Sequence, residues 1–431
     1  MKTELTSLSQ VRKRVVVEVP ATDVESVFQD VLREHRKEVK IPGFRPGKVP
    51  EEMIRRRLGD ELAHAATERI LDTFALEALR REDLRPVRGG VVVETGEGRD
   101  HPEHAREGED YRFTLRVDVL PPIDPQDYVG VTVTRSAVEV EPAEVESELE
   151  RLRQSQTQLI DIPDRASAPG DLIAVDMEAA ELGQPPVLER KLRLLKIGEP
   201  GNPPELDRGL TGRRPDEEFI FEVPFPDDHP EERLRGKLVY FKGTVKALKE
   251  ARTPELNDEL ARQLQLGENL AEMREKVRSI LELNKNAEAD HVARQRLVDA
   301  LLDRNPFDVP PALLDQEHGE RLERIGRELQ ARGLQPDQVK VDWDQIIESE
   351  RGRAERGVRE TILLDAIARK EKLEVERAEV DAVIGALAKE AGLEPDKLRA
   401  RLKQDGEYES LAGEVLRRKC LDWLYARSKI L

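Results

Sequence analysis

Few side chains in this sequence are arranged to do covalent chemistry. His101, Glu103 and His104 stand together in "HPEH". A closed zinc site needs four ligands, and this group offers three. Cys420 is the one cysteine, so an intramolecular disulfide is excluded and no Cys/His nucleophile pair stands out. "GEPGN" (198–202) lacks the lysine and spacing of a phosphate loop, and no serine sits in a strand–turn–helix nucleophile motif. No metal and no other cofactor is expected. What remains is the chemistry of recognition, concentrated in residues 41–50, "IPGFRPGKVP". Between Arg33 and Arg57 nine cations face four acids, a net of +5 in a chain of net charge −18. A basic tip on an acidic body docks on a polyanion without sticking along the whole surface.

Within that tip, Gly43 and Gly47 allow backbone angles that other residues resist, while Pro42 and Pro46 limit wandering. Such a loop presents Phe44 and Arg45 outward, where an aromatic ring stacks on a base or enters a pocket on a partner protein. A plain helix–helix turn with Phe44 folded back on its own lobe satisfies the composition equally well.

The elements around the tip follow from periodicity. "VRKRVVVEVP" (11–20) reads as a strand. Thr22 or Asp23 can cap a helix reaching about Lys40, with Val24, Val27, Phe28, Val31 and Leu32 on one face. Pro50 suits the first turn of a second helix, or pair of helices, whose dipole Glu51 and Glu52 complement. Strands are expected at 89–94 and 111–120, giving an α+β lobe over 1–115. "PPIDPQDYVG" (121–130) is a linker by its prolines, and 141–160 reads as an isolated helix. Short strands and turns fill 166–250, clearest at "EEFIFEVPFP" and "KLVYFKGTVKAL". Helices are expected at 255–304, 311–333, 343–370, 376–390 and 394–428, with Val380, Val383, Ile384 and Leu387 as one apolar stripe.

Hydrophobic residues make up 38% of the 431 and charged residues 37%, with aromatics at 4%. That balance suits several small cores in an elongated α+β protein better than one globule. The N-terminus has no apolar signal region and no stretch approaches 18 apolar residues, so a cytoplasmic protein without membrane contact is expected. Cys420 is expected in a helical core.

"GFRPGKVP" resembles the ribosome-docking signature of bacterial trigger factors, Gly-Phe-Arg-x-Gly-Lys-x-Pro. Gly43, Phe44, Arg45, Gly47, Lys48 and Pro50 fit the fixed positions. "NPFDVPPALLDQE" (305–317) and "LDWLYARSKIL" (421–431) are similar to the family's C-terminal region, and the resemblance runs along essentially the whole chain. It implies an ATP-independent chaperone that docks on the large ribosomal subunit, against ribosomal protein and rRNA at the exit tunnel, and shields unfolded nascent polypeptides. It further implies four spans: a ribosome-binding domain (1–115), a segment packing with the C-terminal body (116–165), an FKBP-like prolyl isomerase lobe (166–250), and a helical substrate-binding body (251–431). A homodimer off the ribosome is a further expectation of the resemblance.

An FKBP-like lobe isomerises prolyl bonds in an apolar aromatic cup that favours the twisted amide, with no nucleophile to fall back on. Here the cup is depleted. By correspondence with the family, Leu206 stands where a phenylalanine floor is expected, His229 where a tyrosine is usual, and Met177 in place of a strand phenylalanine. Phe241, with Phe219 or Phe221 beside it, keeps aromatic character. Weak or absent isomerisation is expected, and an active isomerase with secondary chaperoning is the alternative.

Overall fold

The computed structural model describes residues 1–38, 49–94, 103–162, 165–181, 184–227, 234–334 and 342–431. In chain order its elements are β1 (Lys2–Ser7), β2 (Arg12–Val19), α1 (Ala21–Glu38), α2 (Glu51–Arg81), β3 (Pro86–Val93), β4 (Tyr111–Val119) and β5 (Thr132–Val133). There follow α3 (Pro142–Ser155), β6 (Gln158–Asp161), β7 (Leu172–Glu181), β8 (Pro186–Lys196), α4 (Pro204–Leu210), β9 (Glu218–Pro224) and β10 (Leu238–Arg252). The rest is α5 (Asp258–Gln263), α6 (Leu270–Arg304), α7 (Pro311–Ala331), α8 (Trp343–Lys370), α9 (Arg377–Ala391), α10 (Pro395–Gln404), α11 (Tyr408–Tyr425) and β11 (Lys429–Ile430). Two compact units result, one of Met1–Arg135 with His291–Leu431, the other Ser136–Asp290. Among the described residues no helix is long and apolar enough to cross a membrane.

In the first unit, β1, β2, β4 and β3 form an antiparallel sheet in that order. Period-two alternation turns Val15, Val17 and Val19 of β2 and Phe113, Leu115 and Val117 of β4 onto one face. There they meet Val24, Phe28, Val31 and Leu32 of α1 and Ile54, Leu62, Ile70 and Phe74 of α2. The start of α1 differs from expectation, because neither Thr22 nor Asp23 caps it. The helix begins at Ala21, whose amide donates to Asp110 Oδ1 at 2.7 Å from a distant loop. β1 was not legible in the sequence: apart from Leu5 its residues are polar, and they are mostly exposed, as befits an edge strand held by pairing rather than burial. The second helix is one element kinked at Leu58, which has non-helical angles.

The helices of this unit enclose a second core, in which Leu297 and Leu301 of α6, Leu363 and Ile367 of α8, and Cys420 and Leu424 of α11 meet Val131 and Val133. Cys420 is fully buried, and burial pushes its thiol up to about 12, so it stays protonated. The expected helix at 394–428 is two, α10 and α11, broken where Gly406 takes a positive φ. On α9 the buried stripe is Val380, Ile384 and Ala388, with Leu387 exposed.

In the second unit, β10 is the long central strand. It pairs with β7 on one side and with β9 and then β6 on the other, and β8 flanks β7. Helix α3 stops at Ser155, short of the expected 160, because Leu159 and Ile160 pair with Ala251 and Glu250 as strand β6. Val145 and Leu149 of α3 pack with Ala261, Met273 and Val277 in a small core of their own. The run expected as one helix over 255–304 is α5 and α6, separated at Gly267, whose φ of 155° other residues resist.

Candidate docking and prolyl-binding sites

Of the residues expected to dock, Gly43, Phe44, Arg45, Gly47 and Lys48 lie outside the described residues. The structure describes the base on which they stand. Val49 is fully buried in the first core, and Pro50 is the N-cap of α2, its carbonyl accepting from the amides of Met53 (3.1 Å) and Ile54 (3.3 Å). One side of the loop therefore leaves a fixed point. On the other side α1 ends in a basic turn of His35, Arg36 and Lys37.

The cations around this base divide in two. Several are committed to structure: Arg36 Nη1 reaches Glu51 Oε1 (3.1 Å), Arg69 holds both oxygens of Glu34 (2.7 and 3.1 Å), and Arg55 donates to Glu107. The bidentate Arg69 pair holds the Glu34 carboxyl below the usual carboxylate range. By contrast, Lys37, Arg56 and Arg57 are exposed and have no ion-pair partner among the described residues. Unpaired lysine and arginine beside the loop are what a phosphate backbone recruits.

The metal-like "HPEH" group is divided by the described boundary, since His101 lies outside it. His104 instead meets His64 of α2 edge to face, with centroids 5.4 Å apart. Among the described residues no three ligating side chains converge on a point.

For the middle lobe, His229 lies outside the described residues, and the other four expected positions are brought together. Met177 on β7 faces Gly243 of β10, Leu206 comes from the first turn of α4, and Phe219 and Phe241 stand on β9 and β10. The short helix α4 starts from Pro203, whose carbonyl accepts the Leu206 amide at 3.0 Å. All four side chains are core, between 3% and 8% exposed. Phe221 proves to be the middle of an aromatic row, 5.4 Å from the Phe219 ring and 5.8 Å from that of Phe241, nearly parallel to the latter. Strand register carries the signal for it, because Phe219 and Phe221 share a face and Phe221 pairs directly with Phe241. The row is covered closely. A Cβ on Gly209 of α4 would stand 2.4 Å from the Phe221 ring, and one on Gly243 would stand 2.7 Å from the Met177 Cβ. A prolyl ring needs aromatic surface facing a cleft; of this row Phe219 and Phe241 are buried in the lobe's own interior, while Phe221 is half-buried.

The fold thus defines a multidomain α+β protein. A family model described as bacterial trigger factor protein matches residues 1–152, and one described as the trigger factor C-terminus matches 269–426. The trigger factor of Koribacter versatilis is 31% identical over 420 residues, covering 96% of this chain and 94% of its own. That of Anaeromyxobacter dehalogenans is 31% identical over 449 residues and covers both chains fully. A solved structure of the trigger factor chaperone, described for promiscuous substrate recognition in folding and assembly, covers 99% of both chains at 22% identity with a TM-score of 0.50. This chain belongs to the bacterial trigger factor family of chaperones.

Proposed function

We propose that this chain docks at the exit tunnel of the large ribosomal subunit through Gly43, Phe44, Arg45, Gly47, Lys48 and Pro50. There it shields newly made polypeptides without ATP, in the cytoplasm. The observation that carries this reading is the base of the loop. A signature with a lone phenylalanine is anchored by buried Val49 and capping Pro50, beside the unpaired cations Lys37, Arg56 and Arg57. Residues 1–115 supply the docking domain, 116–165 the connecting segment, 166–250 the FKBP-like lobe and 251–431 the client-binding body. Ribosomal protein and rRNA are the docking partners, unfolded chains the clients, and the free form is a homodimer. Cosedimentation with ribosomes tests the docking: the Phe44→Ala/Arg45→Ala/Lys48→Ala variant should stay in the supernatant. If it pellets like the parent chain, the loop is not the hook.

The middle lobe serves as a structural or auxiliary binding module with weak or no prolyl isomerisation. The burial of Met177, Leu206, Phe219 and Phe241 supports that reading. The half-buried Phe221 ring keeps some aromatic surface for the alternative, an active isomerase. A protease-coupled proline-peptide assay on the full chain decides: turnover at the level of an active FKBP-type isomerase sinks the weak-activity reading.

A further inference from the structure

Within the first unit, the chain leaves the four-stranded sheet at Val119 and runs through residues 120–123, which have no regular structure and include Pro121 and Pro122 in succession. The two ends of this short strap are fixed very differently. Downstream, the C-terminal ends of α6 and α8 grip it. Lys370 Nζ donates to Asp124 Oδ1 (2.7 Å) and to the Pro125 carbonyl (2.9 Å). The buried Asn305 side chain accepts from the Gln126 amide (2.8 Å) and donates to the Gln126 carbonyl (3.2 Å), completing both backbone groups as a strand partner would. Arg304 Nη1 donates to the Asp127 carbonyl (3.0 Å), and Tyr128 Oη to Glu371 Oε1 (2.5 Å). Residues 124–128 of the expected linker are therefore held residue by residue.

Upstream, the polar tie centres on one carboxylate. Asp118, next to last in β4 and 4% exposed, accepts from Arg12 Nε at Oδ1 (2.7 Å) and from Arg12 Nη2 at Oδ2 (3.0 Å). The same Oδ2 accepts from the amide of Ala312 at 3.1 Å, in the first turn of α7. That helix lacks a cap of its own: Pro310 at the N-cap offers no side-chain bond, and no acid stands in the first turn. The first amides of a helix need a partner, and a negative charge there is favourable. Asp118 supplies both from the sheet, while β3 packs on the same helix.

We propose that Asp118 is a latch joining the sheet lobe (residues 1–119) to α7, and that opening it lets the lobe swing about residues 120–123 while 124–128 stay clamped. Segment 305–312, "NPFDVPPA", serves both fixtures: Asn305 makes the clamp and Ala312 receives the latch. The asymmetry places motion at the Asp118 end. Loss of that one carboxylate strands both Arg12 and the helix start, whereas downstream several independent bonds must break.

The test uses the full chain with spin labels at Lys2→Cys on β1 and Glu323→Cys on α7, both exposed, with native Cys420 buried. In the Asp118→Ala background, the inter-label distance distribution should broaden and gain a longer component. Hydrogen exchange at Ala312 and its neighbours should speed up roughly ten- to hundredfold, as expected for losing a hydrogen bond to a charged group. Protection of 124–128 should stay unchanged. An unaltered distance distribution in a folded Asp118→Ala chain overturns the latch, as does equal loosening of 124–128. If exchange shows that the sheet itself has unfolded, Ala312→Pro decides in its place, because it removes the amide that Asp118 accepts in the first turn of α7 and leaves the Arg12–Asp118 pair intact: broadening supports the latch and an unchanged distribution overturns it.

Discussion

Gly209 has a consequence that its neighbours in α4 do not. Alanine is the better helix former by about 1 kcal/mol. Its Cβ would nevertheless fall 2.4 Å from the Phe221 ring, so the ring or the helix must shift. Overpacking of that kind costs about 1–3 kcal/mol and should win. Gly209→Ala is therefore expected to destabilise the middle lobe, read as an earlier denaturant midpoint for the strand signal of that lobe. A later midpoint would mean that the Phe221 row is not closed as described. Periodicity alone does not reveal this cover, because the glycine is needed by a ring twelve residues away. The three phenylalanines were legible as strand residues, yet which of them touch depends on the β9–β10 register. The residues expected to dock present the opposite case. Their identity is plain in the sequence, since proline, glycine and one aromatic punctuate ten residues, and the structure adds the anchoring of Val49 and Pro50.

Among the elements, α8 carries a charge that its packing opposes. Glu360 is half-buried, and burial raises its carboxyl above the usual value; Arg356 and Arg417 pull it back only in part, while Asp299 adds to the rise. A raised carboxylate contributes stability that is complete below the unfolded pKa and is lost as pH climbs through the folded one. Glu360→Gln, neutral throughout, should therefore match the parent chain in acid. It should be the more stable of the two at neutral pH, with thermal unfolding as the readout. A gap that widens toward acid would reverse the sign and contradict burial as the cause. The helices themselves were legible wherever a 3.6-residue stripe ran long, as in α1, α7 and α8. Single residues defeated the rest. Gly267 and Gly406 split expected helices through their positive φ, and β1 and β6 are strands only because a partner strand pairs them. The clamped course of 124–128 was read as a linker because its bonds come from Asn305, Arg304, Lys370 and Glu371, more than 170 residues away in sequence.

At the scale of the whole molecule, the chain keeps a net charge of −18 and places a local net of +5 around one loop. An acidic body repels RNA at a distance, so any ribosome binding must draw on that patch and must weaken as salt screens it. The middle lobe, meanwhile, buries Phe219 and Phe241 in its own core. Docking without strong isomerisation is the combination these features favour. The most direct measurement is ribosome affinity titrated against salt, for the parent chain and for Phe44→Ala/Arg45→Ala/Lys48→Ala. The parent should bind at low salt and weaken steadily as salt rises, while the variant should bind at least about tenfold more weakly at low salt and show a shallower slope. Superimposable curves for the two would contradict docking through this loop.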